Sequence, residues 1–299
     1  RVVVNRFWAQ LFGTGIVKTL EDFGSQSEWP SHPELLDLLA RDFVDGGWNV
    51  KALLKSIVLS ATYRQSSAGS AALFARDPEN RLLARGPRVR LPAELIRDQA
   101  LAVSGLLTPR IGGPSVYPYQ PEKLYEGLVV GAAYPGTKWG QGVESDLYRR
   151  SLYTFWKRTV PHPVMTTFDA PDREFCTVRR SRTNTPLQAL ILWNEPGYLE
   201  SARRLATRML RDAPGDDAAR LAFGFQAATG RRPHVAEIAV LVRSFEKLRA
   251  DFTAHPEDAA KLLAVGTSSI DPGIPAADLA AATSVASMIL NLDETITKN

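Results

Sequence analysis

Apolar residues recur at spacings of three and four along most of this 299-residue chain, and this period is what most constrains its fold. The longest stripe follows Pro233 and contains Val235, Ile238, Leu241, Val242, Phe245, Leu248 and Phe252. Such spacing puts apolar side chains on one face of an α-helix, whereas a half-buried strand alternates every second residue. The sequence therefore predicts an all-α fold, an irregular multi-helix domain with long loops.

Proline and capping residues mark where several helices are expected to begin. Residues 31–34 and 185–188 each match a capping box, in which the first and fourth residues exchange side-chain to backbone hydrogen bonds. The pair Asp77–Pro78 is typical of a helix start, and Pro121 predicts a further short helix. Residues 66–70 are small and polar, so we expect a connector there.

One small two-stranded ribbon is expected within the helical domain. Residues 152–157 place aromatic side chains on both faces of an alternating pattern, which predicts an extended segment. Residues 175–179 are the expected partner. Residues 88–91 also alternate and predict a short extended piece.

The composition fits one folded domain. At 299 residues and 44% hydrophobic, the chain can bury roughly three-quarters of its unfolded surface. We expect a single helical domain with a helical part at 1–135, an arginine- and aromatic-rich central segment at 136–185 and a second helical part at 186–299. The first helix begins at the first turn without a capping residue, so we interpret the domain as cut from a longer chain.

Several classes of site are not predicted. The one cysteine, Cys176, excludes an internal disulfide, and we expect it to be buried as a small hydrophobic residue rather than to act as a nucleophile. Each of the four histidines lies beside a proline and none has the spacing of a helical metal pair, so no metal site is expected. The chain lacks a run of about 18 apolar residues, so no membrane span is predicted.

The basic charge of the chain is concentrated in the central segment. Residues 149–182 contain eight basic and three acidic residues, whereas the whole chain nets only +4. Aromatic residues interleave with these charges, but the rest of the chain is balanced and shows no nucleic-acid motif, so no nucleic-acid partner is predicted. The helix expected at Pro186 would add an anion-attracting N-terminus nearby.

An anionic ligand is one interpretation of this segment. The candidate ligand-binding residues are Arg173, Arg179, Arg180, Arg182, Asn184 and Gln188. The alternative is that the arginines pair with nearby acids and hold the loops, and bidentate ion pairs make this slightly the stronger interpretation. The acids in question are Asp146, Asp169, Asp172 and Glu195.

His162 is the candidate acid/base group. It lies between Pro161 and Pro163, and Asp169 or Asp172 would orient it. The alternative, which we favour, is a turn histidine bonded to a nearby carbonyl group.

Ordered blocks along the chain resemble one uncharacterised bacterial family, the planctomycete-type Domain of Unknown Function 1553. The blocks are VNRFWAQLFGTGIV, EDFGSQSEWPSHPELLDLLA, GGWNVKALLKSIVLSATYRQSS, DPENRLLAR, KRTVPHP, FDAPDRE, RTNTPLQAL and ILNLDETITK. The resemblance implies the C-terminal part of a long exported protein, preceded by a companion domain and often by a cytochrome c-like module. It thus implies an extracytoplasmic location, in the periplasm or at the cell surface.

The resemblance supplies no catalytic residues. The cytochrome motif, two cysteines followed by a histidine, does not occur in this sequence, so we expect no haem and no other cofactor in this chain. The family's genomic setting, among enzymes that degrade sulfated polysaccharides, suggests anionic glycans by analogy alone.

Three functional hypotheses follow. The first is a non-catalytic helical module that packs on the preceding domain of its parent protein, with the arginine-rich centre organising that assembly or a ligand cleft. The second is an enzyme acting on anionic, sulfated polysaccharide. The third is a docking surface for a cytochrome c-like module.

Overall fold

The computed structural model describes residues 1–121, Leu124 and residues 139–298. It is 54% helical, with thirteen α-helices and a two-stranded sheet among those residues, so the all-α prediction is confirmed. Most of the short helix expected at Pro121 lies outside the described residues. The chain divides into two compact units, of which unit 1 contains Arg1–Arg90, Cys176–Arg180 and Thr297–Asn299, and unit 2 contains Leu91–Phe175 and Ser181–Ile296.

Unit 1 is built on helices near the N-terminus. They are α1 (Val2–Phe12), α2 (Pro33–Asp45), α3 (Val50–Leu59) and α4 (Ala71–Arg76). The ring of Trp8 stacks on Phe12 at a centroid distance of 4.1 Å, and apolar residues of α2 and α3 complete this core. Strands β1 (Val89–Arg90) and β2 (Thr297–Lys298) pair antiparallel, with Val89 opposite Lys298.

Unit 2 contains the larger core. Its helices are α5 (Ala93–Ser104), α6 (Pro163–Thr167), α7 (Pro186–Asn194), α8 (Pro196–Asp212), α9 (Asp217–Thr229), α10 (Val235–Ala254), α11 (Pro256–Leu263), α12 (Ala276–Leu290) and α13 (Asp293–Ile296). Two 3₁₀-helices, Glu144–Tyr148 and Ser151–Tyr153, precede α6.

Helix α12 lies at the centre of unit 2. Apart from Asp278 in the first turn, its residues are apolar or small, and such a helix is expected to be buried over most of its surface. Leu279, Val285 and Ile289 are fully buried, and α12 packs on both α8 and α10. Each such side chain contributes roughly 1.5–3 kcal/mol of transfer free energy. This core fixes α8, which carries several residues of the site described below.

The helix expected near residue 31 forms and begins at Pro33, but the capping box predicted for it is wrong, and so is the helix start predicted at Asp77–Pro78. The N-cap of α2 is His32, which makes no side-chain capping bond, and the Ser31 hydroxyl donates to the carbonyl of Ile16 at 3.3 Å. At Asp77 a helix ends: α4 is capped by Ser70, whose side chain accepts from Leu73 N at 3.2 Å. The carboxylate of Asp77 accepts backbone hydrogen bonds from residues 81 and 82, both at 2.8 Å, so the Asp-Pro pair forms a turn.

The capping box at the start of α7 is confirmed. Thr185 Oγ1 accepts from Gln188 N, and Thr185 N donates to Gln188 Oε1, both at 3.4 Å. Pro186 occupies the first turn, as expected from its fixed φ.

The predicted ribbon of residues 152–157 with 175–179 is wrong. Residues 151–153 form a 3₁₀-helix, and Thr154 makes an isolated bridge with Val116. The aromatic side chains of this segment pack on a loop instead of a second strand. The ring of Phe155, for example, stacks on that of Tyr117 at a centroid distance of 4.9 Å. The piece predicted at 88–91 does form a strand, β1. Cys176, expected to be buried, is exposed.

Candidate functional site

The carboxylate of Asp169 holds a loop of unit 2. Its oxygens accept from the backbone N–H of Thr183 at 2.7 Å and from the Thr183 hydroxyl at 2.9 and 3.0 Å. The residue has a φ of +62°, a left-handed conformation that Asp tolerates better than most residues. The carboxylate, predicted as an orienting group for a histidine, thus anchors the backbone before α7.

The neighbouring residues 172–174 are fixed against Trp156. The indole Nε1 of Trp156 donates to the Asp172 carbonyl at 2.8 Å, and the Arg173 guanidinium lies 4.5 Å from the centre of the Trp156 ring. Asp172 Oδ1 accepts from the backbone N–H of Glu174 at 3.0 Å. These bonds give the segment a defined conformation despite its exposure.

Gln188, a predicted ligand-binding residue, is fully buried. Its Nε2 donates to the Thr167 carbonyl at 2.9 Å and to the Thr183 hydroxyl at 3.0 Å. Together with the capping box, these bonds connect the start of α7 to the end of α6. Asn184 lies just before this helix and is exposed.

The four predicted arginines are all exposed but belong to different units. Arg173 and Arg182 are part of unit 2, and Arg179 and Arg180 are part of unit 1. Within unit 1, the pKa of Glu79 is lowered mainly by its hydrogen bond from Lys18, with a smaller Coulombic contribution from Arg179.

One acid expected to pair with the central arginines pairs elsewhere. Asp146 Oδ1 lies 3.1 Å from the guanidinium of Arg110. The arginine that is buried in this region is Arg149, which donates to the carbonyls of Arg110, Gly112 and Pro114 and stacks 3.9 Å from the Tyr153 ring. Arg149 therefore holds the loop before Val116 in place.

His162 is buried in a cavity of unit 2, with 3% of its surface exposed. Its Nε2 lies 2.9 Å from the Tyr119 carbonyl oxygen, as the turn-histidine interpretation expects. Among the described residues, its Nδ1 has no hydrogen-bond partner, and no hydrogen bond joins its ring to Asp169 or Asp172. Burial lowers the pKa of His162 to about 4, and the charge of Arg97 acts in the same direction, so the ring is neutral at pH 7.

Arg97 and Glu195 flank the histidine. The Arg97 guanidinium donates to the carbonyls of Leu147 at 2.6 Å and Arg149 at 2.9 Å, and burial lowers its pKa. Glu195 is the N-cap of α8, where its Oε2 accepts from Tyr198 N at 3.0 Å. Burial raises the pKa of Glu195, although its backbone hydrogen bonds and Arg97 act against this.

Glu200 is a buried carboxylate that sequence reasoning missed. Its oxygens accept from the hydroxyls of Tyr119 and Tyr148, each at 2.9 Å, and from the backbone N–H groups of Thr267 at 2.7 Å and Ser268 at 2.5 Å. The Arg203 guanidinium is 3.7 Å away. This full set of donors explains how a charged group is tolerated in the interior. The i,i+3 pair of Glu200 and Arg203 is its only local signal among the described residues, because the other donors lie far away in sequence.

These side chains line one small cavity of about 20 Å³. Its wall includes Arg97, Tyr119, Tyr148, His162, Glu195, Tyr198 and Glu200. Burial also raises the pKa of the Tyr198 hydroxyl, which has no hydrogen-bond partner among the described residues. The cavity is therefore small and partly open, its lining is mainly apolar, and two of its residues carry a hydrogen-bonding atom that has no partner among the described residues.

The described part of the chain contains neither a cluster of metal ligands nor a membrane-spanning helix. Within residues 1–121, 124 and 139–298, no group of three or more His, Cys, Asp or Glu side chains is arranged to hold a metal ion. None of the helices described there combines the length and apolarity needed to cross a bilayer.

The fold and this site define an all-α domain with a small cavity lined by several buried polar side chains. A family model, PSD1: Protein of unknown function (DUF1553), matches residues 1–245, and the chain belongs to this family. Comparison with curated proteins and with solved structures returned no match.

Proposed function

We propose that this chain is a non-catalytic helical module of a larger exported bacterial protein, and that it packs on a neighbouring domain of that protein through an apolar surface of unit 1. The observation that carries the proposal is the exposed indole of Trp48, held in a strained conformation at the tip of a helical hairpin.

The turn between α2 and α3 displays Trp48. Gly47 and Trp48 have φ values of +70° and +61°, and for a bulky aromatic residue the left-handed region costs about 1–3 kcal/mol. The turn is held by a hydrogen bond from Trp48 N to the Phe43 carbonyl at 2.8 Å and by edge-to-face packing of the two rings at 5.3 Å. Asn49 then caps α3 through Ala52 N at 3.0 Å.

The indole is nevertheless 61% exposed, and Val44 and Val50 beside it in the hairpin are also exposed. We call these three residues the Trp48 patch. A tryptophan kept rigid and outward is the type of side chain that dominates binding energy at protein interfaces. Exposed apolar side chains that lie together are typical of interaction sites, so an external partner accounts for its position.

The predicted acid/base residues support a non-catalytic role. Asp169 and Asp172 bond to backbone N–H groups of their own loop, and His162 bonds to a backbone carbonyl. Each of these contacts stabilises the fold. Among the described residues, no carboxylate is hydrogen-bonded to the His162 imidazole. The exported, extracytoplasmic location is proposed from the family resemblance, and cell fractionation of the parent protein tests it.

The packing proposal is tested in the parent protein with a protease site placed ahead of Arg1. After cleavage, we expect the two pieces to remain associated on gel filtration. We expect Trp48→Ser to weaken the association at least about tenfold, the effect of losing one interface hot spot. Trp29→Ser is the matched control, since Trp29 is the more exposed indole of the same unit. Wild-type association in the Trp48 variant, with its fold intact by circular dichroism, would refute the packing surface.

A further inference from the structure

Two buried side chains that line the same cavity of unit 2 each have a polar atom without a hydrogen-bond partner among the described residues. The two atoms are Nδ1 of His162 and the hydroxyl oxygen of Tyr198, and each residue is only 3% exposed. Buried polar groups are almost always satisfied, by protein or by an ordered small molecule. The cavity is therefore expected to have an occupant.

The hydrogen-bond pattern defines what this occupant must offer. A carbonyl oxygen can only accept, so the contact of Nε2 with the Tyr119 carbonyl places the ring proton on Nε2. Nδ1 is then a bare acceptor that needs a donor. The Tyr198 hydroxyl can donate and accept. A group that reached both atoms would have to donate to Nδ1 and accept from the Tyr198 hydroxyl, and a hydroxyl group has both capacities.

The size of the cavity sets an upper limit on the occupant. Its volume of about 20 Å³ exceeds the roughly 10–15 Å³ needed for one water molecule and is far below the space required by a sugar ring. The neighbouring carboxylates do not compete for this occupant. Glu200 already accepts hydrogen bonds from its own donors, and Glu195 caps α8.

We propose that this cavity is a binding site for a single hydroxyl group, which donates its hydrogen to His162 Nδ1 and accepts one from the Tyr198 hydroxyl. The hydroxyl belongs to a water molecule or to a small alcohol that replaces it. This site is independent of the Trp48 patch and of any packing on a neighbouring domain.

The site is tested by ¹⁵N NMR of the histidine-labelled chain during titration with methanol. A saturable upfield shift of the His162 Nδ1 resonance assigns the site to an alcohol hydroxyl. A resonance that is unaffected by methanol but shows a cross-relaxation contact with a bound water assigns it to water. A resonance typical of a protonated Nδ1, or the detection of neither ligand, would overturn the proposal.

Variants separate binding from general structural effects. Tyr198→Phe removes one hydrogen bond without changing shape, and we expect it to weaken methanol affinity roughly fivefold or, for water, to abolish the contact. Tyr153→Phe is the control, since Tyr153 stacks under Arg149 and is not among the residues that line the cavity. Binding unchanged in Tyr198→Phe, or weakened equally in both variants, would contradict the assigned geometry.

Discussion

The Nε2 of His162 lies 2.9 Å from the carbonyl oxygen of Tyr119, and this contact fixes the tautomer of a buried, neutral imidazole. The histidine therefore has a defined protonation state as well as a defined position. Both have consequences for stability.

The first prediction concerns acid. The pKa of His162 is 6.5 when unperturbed and about 4 in the folded chain, so between these values the unfolded state binds more protons. The stability associated with the neutral ring is complete above pH 6.5 and is lost as the pH falls through 4. The difference amounts to about 3 kcal/mol.

Urea unfolding at a series of pH values measures this loss. Between pH 6.5 and 4, we expect the free energy of unfolding of His162→Gln to depend less on pH than that of the wild type. His255→Gln, which replaces an exposed histidine, should keep the wild-type pH dependence. An unchanged slope in His162→Gln would show that other groups cause the acid sensitivity.

A second prediction concerns Gly266, which contacts the carboxylate of Glu200. Gly266 has a φ of +85°, and a Cβ atom at this position would overlap the Glu200 carboxyl group. We expect Gly266→Ala to lower the free energy of unfolding by about 2–4 kcal/mol, from backbone strain and steric overlap together. Gly230→Ala is the control, because Gly230 has a φ of +80° and open space around it, so strain alone should cost about 1 kcal/mol. Equal losses in the two variants would exclude the overlap.

A third prediction concerns Arg231, which bridges two carboxylates. Its guanidinium makes paired hydrogen bonds of 2.7–2.8 Å with Glu237 at the start of α10 and with Glu294 of α13. The pKa of Glu237 is lowered to about 2, chiefly by the hydrogen bonds from Arg231. Lysine cannot reproduce this geometry, so we expect Arg231→Lys to destabilise the chain by about 1–2 kcal/mol.

The control for Arg231 is Arg211→Lys, since among the described residues Arg211 pairs with a single carboxylate, that of Asp271. Thermal unfolding should show a smaller loss for this variant. The stability that Glu237 contributes is present above its ordinary pKa of 4.5 and is lost as the pH falls toward 2, so Arg231→Lys should matter least in strong acid. A loss independent of pH would argue against the ion pair as its cause.

A fourth prediction concerns the role of Asp169. Because its carboxylate holds Thr183, we expect Asp169→Ala to cost about 1–3 kcal/mol and to increase proteolysis of the loop before α7. Asp172→Ala, which removes one exposed turn bond, should cost less. The free energies of unfolding of the two variants test this difference. A wild-type stability of Asp169→Ala would contradict the structural role and favour a functional one for this carboxylate.

The sequence predicts features whose partners are close along the chain. The capping box of Thr185 and Gln188 and the apolar face of α10 depend on residues within four positions. The capping box was found, and so was the apolar face from Ile238 to Phe252, but Val235, predicted on the same face, is exposed. The helix start predicted at Asp77–Pro78 was wrong because the local sequence does not distinguish the alternatives. A helix start and an Asp-initiated turn share one local pattern.

The cavity could not be predicted in this way. Glu200 bonds to Tyr119, Tyr148 and Thr267, which are 81, 52 and 67 residues away. Tyr198 lies near the start of an ordinary proline-initiated helix, and nothing in the adjacent residues predicts that its hydroxyl has no hydrogen-bond partner within the described part of the chain. The conformation of Trp48 could not be predicted from the sequence either. The two glycines before it indicate a helix end, but they do not predict a positive φ at the tryptophan.

Hydroxyl-radical labelling of Trp48 tests the proposed packing surface most directly. The label is measured by mass spectrometry in this chain alone and in the intact parent protein, with the exposed Trp29 as internal reference. The account predicts that Trp48 is labelled readily in the isolated chain and protected several-fold in the parent, relative to Trp29. Equal labelling of Trp48 in both proteins would contradict it.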